Sequence, residues 1–250
     1  MFSSTLIHIP HASLHIPEPL LSSYVADIKR ELLLMTDHFC DDLFSAGMEM
    51  LCAPVSRLVC DVERFVNDED EIMSAHGMGA IYIKCSDGTP FRRVSEEERQ
   101  ALLRAYYEPH HAKLTEAVDK RLSAFGHCTI IDGHSFSASP LPYEADQSAD
   151  RPDICIGTDS FHTPTALRDF AVSFFRNCGY RVAVNRPFSG SLVPLKHYCK
   201  EKAVSSVMVE INRSLYMTED AVKSDNYRSV KKDISDFIHE IDEYSYTKDA

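Results

Sequence analysis

A chain of 250 residues with 44% hydrophobic content can bury one sizeable core, and it falls between the usual one-domain and two-domain sizes. Its formal charge of −12, from 38 acidic against 26 basic residues, repels nucleic acid and anionic lipid rather than attracting them. No apolar run approaches the roughly 20 residues that span a bilayer. The opening "MFSSTLIHIPHAS" has neither a charged n-region nor a cleavable apolar segment, so the expectation is a single domain over 1–250 in the cytoplasm.

In chain order, "TLIHIP" reads as a first strand, 24–45 as a helical stretch, and "MEMLCAP", "RLVCDV" and "AIYIKC" as further short strands. A long helix opens at Ser95, with Glu98 three residues on to complete a capping box. It runs to Gly126 and is expected to kink at Pro109, which removes a backbone hydrogen bond and crowds the preceding turn. Then come "CTIIDGHS", "DICIGT", the helix "TALRDFAVSFFRNCG", "RVAVNRPF", "SVMVEINR" and a charged helix ending near Tyr246. Strands alternating with helices imply an α/β sandwich with a largely parallel sheet, whose ligands bind beyond the carboxyl ends of the strands. Two long irregular stretches, 136–152 and 187–200, are candidate rims, the first of them the expected lid.

Eight cysteines are spread along the chain without a C-x-x-C pair. That argues against a zinc ribbon or a disulfide framework and for buried, reduced thiols.

Several strands end in residues a core has little use for. The first ends at Pro10-His11, "CTIIDGHS" delivers Asp132, Gly133 and His134, and "SVMVEINR" carries Glu210 and Arg213. Between them, "MTDHFCDDLF" places Asp37 and Asp41 four residues apart, on one helical face. Two histidines and a carboxylate suit a catalytic Zn²⁺, or another divalent transition metal, and His11, Asp37 and His134 make such a set. A bound zinc lowers the pKa of water to about 7, and Glu210 is the best candidate to shuttle the proton. The alternatives are a loop histidine at His11, a helix cap or solvated charge at Asp37, and a salt-bridged Glu210. His8 reads as a strand-face residue. No H-E-x-x-H, G-x-S-x-G, G-x-G-x-x-G or P-loop pattern occurs, which places a serine hydrolase below a metal hydrolase.

The motifs "IPHASLHIP", "TDHFCDDLF", "LVCDVERF", "YYEPHHAKL", "IIDGHS" and "VEINR" occur in the order that marks the N-formylglutamate amidohydrolase family, which this chain resembles from about Ile7 to Arg213. The resemblance implies a three-layer α/β/α fold with a mixed, largely parallel sheet, similar to zinc-dependent exopeptidases. It implies metal ligation by His11, Asp37 and His134, with Glu210 as the catalytic carboxylate. His111 matches the family's aromatic-Pro-x-His pattern and is a candidate for polarising the carbonyl or orienting a ligand. Neighbouring His110 reads as a surface histidine. The implied substrate is a small N-acyl amino acid such as N-formylglutamate, cleaved to formate and glutamate.

Arg64, Arg186 and Arg213 are candidates for gripping its carboxylates, since the guanidinium fork binds them bidentately. The competing expectation is that at least one of them neutralises Asp61 or Glu210. One departure from the family pattern stands out: "DVERF" puts Glu63 where an asparagine usually precedes the arginine, an acid that would oppose a dicarboxylate unless it points away. Two other readings stay open, a peptide or peptidoglycan amide hydrolase using the same zinc site, and a non-catalytic binding protein on this fold. The sequence gives no oligomeric state.

Overall fold

Strand alternation sorts the first strand, β1 (Thr5–Ile9), into two faces: Ile7 and Ile9 enter one hydrophobic core, Leu6 another. The same division runs through the six-stranded sheet of the computed structural model, which describes residues 2–247. Its other strands are β2 (Met50–Cys52), β3 (Cys128–Phe136), β4 (Ile154–Gly157), β5 (Val182–Val184) and β6 (Val204–Asn212). They lie in the order β2-β1-β3-β6-β4-β5, and every neighbouring pair is parallel except β4–β6.

Helices cover both faces. On one, Ile131, Val207, Val209 and Ile211 pack with α2 (Cys40–Leu43), α5 (Thr165–Asn177) and α6 (Tyr227–Thr247) through Leu43, Leu167, Phe175, Ile234 and Phe237. On the other, Leu6, Cys128, Ile130 and Val204 meet Leu114, Ala117 and Val118 of α4 (Glu108–Phe125). Each fully buried Ile, Leu or Phe of this kind contributes roughly 1.5–3 kcal/mol, so the two apolar layers fix the plane of the sheet. The strand ends can then carry polar groups.

Three expected elements differ. Residues 24–45 are not one helix: α1 (Ile28–Met35), capped by Asp27, stops at Thr36, and α2 starts after Phe39, whose φ of 66° turns the chain. "RLVCDV" and "AIYIKC" form turns rather than strands, because their apolar side chains enter two satellite cores while Arg57, Asp61 and Tyr82 bond to one another. The long helix has the expected capping box at Ser95 and Glu98, but α3 (Glu96–Leu102) passes into a π-helical turn, Leu103–Tyr107, before α4. Pro109 thus falls just past that turn, at the start of α4, and the Glu108 N–H reaches back to the Leu103 carbonyl across the junction.

The eight cysteines are free, with Cys178 and Cys199 the exposed exceptions to the expected burial. No helix among the described residues is long and apolar enough to cross a membrane.

Candidate active site

The carboxyl ends of β1, β3 and β6 bring His11, His134 and Glu210 to one edge of the sheet. Asp37 joins them from the turn between α1 and α2, where its N–H donates to the His11 carbonyl at 3.0 Å. These residues line a cavity of about 360 Å³. Donor atoms of His11, Asp37 and His134 all lie within 4.8 Å of one another, and all three residues are buried.

The nitrogens of the two rings divide by role. His134 Nδ1 is 3.1 Å from Asp37 Oδ2 and His11 Nδ1 is 3.7 Å from the same oxygen. The opposite nitrogens face other carboxylates: His11 Nε2 is 2.8 Å from Asp61 Oδ1, and His134 Nε2 is 3.1 Å from Glu63 Oε1. Asp37 Oδ1 accepts from Arg213 at 3.0 Å, and Arg213 also donates to the Leu34 carbonyl and to Ser135. Arg57 and Tyr82 both donate to Asp61 Oδ2.

Three observations fit a divalent cation among His11, Asp37 and His134. An N, N, O donor set is one of those by which zinc is held at sites that keep a position open. His11 Nδ1 is buried without a hydrogen-bond partner, an arrangement that is costly for an imidazole nitrogen. Electrostatics agree: burial lowers the His134 pKa, yet Glu63, Asp132 and Asp37 overcome it and raise it well above the ordinary value. Burial likewise raises Asp37, and the hydrogen bonds and charges of His11 and His134 hold it well below the usual carboxylate range. The pocket therefore favours positive charge between these groups.

Glu210 is opposite His134 in the β3–β6 register. Its Oε2 is buried without a partner, and burial, with Asp37 and Glu63 adding to it, pushes its pKa up to about 8. A carboxyl poised in that range can both accept and return a proton near neutral pH.

The other expected site residues divide. Arg64 lines the cavity; its Nε is buried, makes no hydrogen bond and stands 3.5 Å from Asp61 Oδ2. Arg213 is committed to Asp37, Ser135 and Leu34. Arg186 is not among the residues lining the cavity: it is half exposed and held by Asp146 and the Asp150 carbonyl of the 137–153 segment. His111 is also displaced from the His11–Asp37–His134 cluster. Its Nε2 is 2.7 Å from the Val62 carbonyl, the proton on that nitrogen, and the ring lines an adjoining cavity of about 350 Å³.

Sequence reasoning gave His8 and His110 no role at the site and left those of Asp132 and Glu63 open. His110 is buried rather than on the surface, with Nε2 2.9 Å from His8 Nε2, and His8 Nδ1 is 2.8 Å from Asp132 Oδ1. Asp132 is thereby placed: it shares a strand face with His134, stands 3.3 Å from its Nε2, and accepts from Leu192 N–H. The available signal was spacing, since residues 132 and 134 alternate onto one face, as do 6 and 8. Glu63 points inward, and the four-residue spacing of Arg57 and Asp61 was the one local hint of their pair.

A sequence profile of the N-formylglutamate amidohydrolase family matches residues 3–217. The chain belongs to that family. Membership of the N-formylglutamate amidohydrolases makes it a hydrolase of amide bonds. It is 26% identical over 225 residues to an N-formylglutamate deformylase of Pseudomonas putida, covering 86% of this chain and 82% of that protein. Its fold is that of an N-formylglutamate amidohydrolase from Ralstonia eutropha JMP134, with a TM-score of 0.85 at 24% identity over 98% of this chain and 95% of the other. A gene product of Agrobacterium tumefaciens shares the fold with a TM-score of 0.71 at 19% identity, over 98% and 91% of the two chains.

Proposed function

We propose that this chain hydrolyses the N-formyl amide of a small N-formyl amino acid, N-formylglutamate being the substrate its family relatives are named for, with a zinc or similar divalent ion held by His11, Asp37 and His134. The observation that carries the reading is the convergence of three buried donors, one of them an unpartnered imidazole nitrogen, beside a carboxyl whose pKa is raised to about 8. When bound, the ion supplies Lewis-acid polarisation of the scissile carbonyl and makes water more acidic.

The residues of the chain do the rest. Glu210 takes a proton from the attacking water at its unpartnered Oε2 and passes it to the departing amine, so formate and the free amino acid leave. Asp61 and Arg213 hold His11 and Asp37 in place from behind. Arg64 offers a guanidinium to a substrate carboxylate. Fold similarity to zinc-dependent exopeptidases belongs to this reading, as does a cytoplasmic location.

The test is product release from metal-loaded protein, formate from N-formyl amino acids against acetate from N-acetyl ones. Formate release that a chelator abolishes and zinc restores is the expected result. Metal-independent turnover, or no turnover on any N-formyl amino acid, would overturn the reading.

A further inference from the structure

The ring of His134 is held on one side and contested on the other. Nδ1 faces Asp37, but two carboxylates compete for Nε2: Glu63 Oε1 at 3.1 Å and Asp132 Oδ1 at 3.3 Å. Asp132 is already occupied, since its Oδ1 stands 2.8 Å from His8 Nδ1 and its Oδ2 accepts from Leu192 N–H at 2.9 Å. Glu63 Oε1 has no other hydrogen-bond partner among the described residues, and it is the nearer of the two.

We propose that Glu63 is a positioning residue for the His11–Asp37–His134 cluster: it accepts a hydrogen bond from the Nε2–H of His134 and so fixes the tautomer that turns Nδ1 toward Asp37. Asp61 does the same for His11, at 2.8 Å from Nε2, and the two rings end with matching tautomers. The inference rests on the proposed metal cluster.

The geometry has a mechanical cause. Glu63 lies in the 61–64 segment, which Tyr107 grips by donating to the Arg64 carbonyl at 2.9 Å and His111 by approaching the Val62 carbonyl at 2.7 Å. Those two side chains flank the junction of the π turn and α4, so the helix break seats the segment that presents Glu63. His8, Glu63 and Asp132 are also close enough to hold a cation themselves. Both nitrogens of His8 and both oxygens of Asp132 are already engaged, however, which leaves Glu63 the member free to serve His134.

The experiment is a zinc titration of the metal-free protein against a chromophoric chelator, for wild type, Glu63→Gln and Glu63→Ala, with ¹⁵N–¹H spectra of the His134 ring. Glu63→Ala is expected to weaken zinc binding by about 10- to 100-fold and to move the Nε2 proton of His134 upfield. Glu63→Gln, whose amide oxygen still accepts, is expected to recover most of the affinity. If Glu63→Ala does not fold, Glu63→Asp, which keeps the charge but lacks the reach, carries the same expectation. Affinity within twofold of wild type and an unmoved Nε2 proton in Glu63→Ala would overturn the proposal in favour of Asp132. Equal loss in the Gln and Ala variants, with an altered Co²⁺ spectrum, would overturn it by making Glu63 a ligand. Failure of the wild type to bind zinc would remove the metal reading instead, while the Nε2 proton of the metal-free protein still decides whether Glu63 holds the ring.

Discussion

His134 and Glu210 are register partners in the β3–β6 ladder, so the sheet itself sets the separation between a metal-ligand candidate and the proposed proton acceptor. Neither depends on a loop for its position. A one-residue slip of either strand would turn its residue to the opposite face and part the two. With the backbone so fixed, Glu210→Gln is expected to leave the zinc content unchanged and to lower kcat by about 100-fold or more, the range for loss of a general base. Metal analysis beside steady-state kinetics checks it, and a fully active Gln variant would refute the role.

His134→Ala removes a buried donor rather than a proton acceptor. Zinc stoichiometry after dialysis is expected to fall with turnover, which separates a ligand from a base. Retention of one zinc per chain would contradict the assignment.

Arg64 has a buried Nε without a hydrogen-bond partner, whereas Arg213 is already engaged with Asp37 and backbone. Hydrogen bonds to charged groups contribute about 1.5–3 kcal/mol, so Arg64→Ala is expected to raise KM by roughly 10- to 100-fold, with kcat changed less. Arg64→Lys should recover part of the loss, because an ammonium keeps the charge but not the fork. Initial-rate kinetics on an N-formyl amino acid read both values.

His110 carries a pH signature. Burial above all, then the charges of His8 and His111, depress its pKa to about 2. An unfolded chain would protonate this ring near pH 6.5 and the folded one would not, so its contribution is intact above that pH. Below it, stability falls by at most about 1.4 kcal/mol per pH unit until the folded pKa is reached. Urea melts between pH 7 and 5 are expected to show this slope, and His110→Gln to flatten it.

Gly133 has no room for a methyl group. A Cβ there would lie 2.6 Å from Ile9 Cδ1 and 2.9 Å from Phe44 Cδ1, both fully buried side chains. Gly133→Ala is expected to cost about 1–3 kcal/mol and to disturb His134 next to it, seen as a lower Tm together with weaker zinc binding.

What could be read from the sequence followed the sheet. Strands such as "CTIIDGHS" and "SVMVEINR" announce themselves by apolar runs that end in chemistry, and they brought His11, His134 and Glu210 within sight of one another. Asp37 came by motif, and it lies in a turn where a helix was expected. Arg57 and Tyr82 were hidden because a buried charge network around Asp61, which the sequence offered only as a partner for a nearby arginine, replaces the strands that "RLVCDV" and "AIYIKC" suggest, and no local period describes it. His8 and His110 were taken for ordinary residues because each satisfies the other across 102 positions. Arg186 was misplaced for the converse reason: neighbouring strand-end arginines look alike until the 137–153 segment claims one of them.

The reversed strand β4 has a consequence for how this cleft can change. β3 leaves the sheet at Phe136 beside Asn212, and β4 returns at Ile154 beside Ile211, on the other side of β6. The intervening chain is therefore pinned at both ends to one terminus of one strand, with Ser137, Leu141, Tyr143 and Glu144 facing the cavity. Because it never has to travel the length of the sheet, residues can be added to or removed from 137–153 without shifting any register. A recombination experiment that exchanges this segment between family members should transplant substrate preference and leave the cluster of His11, Asp37 and His134 where it is.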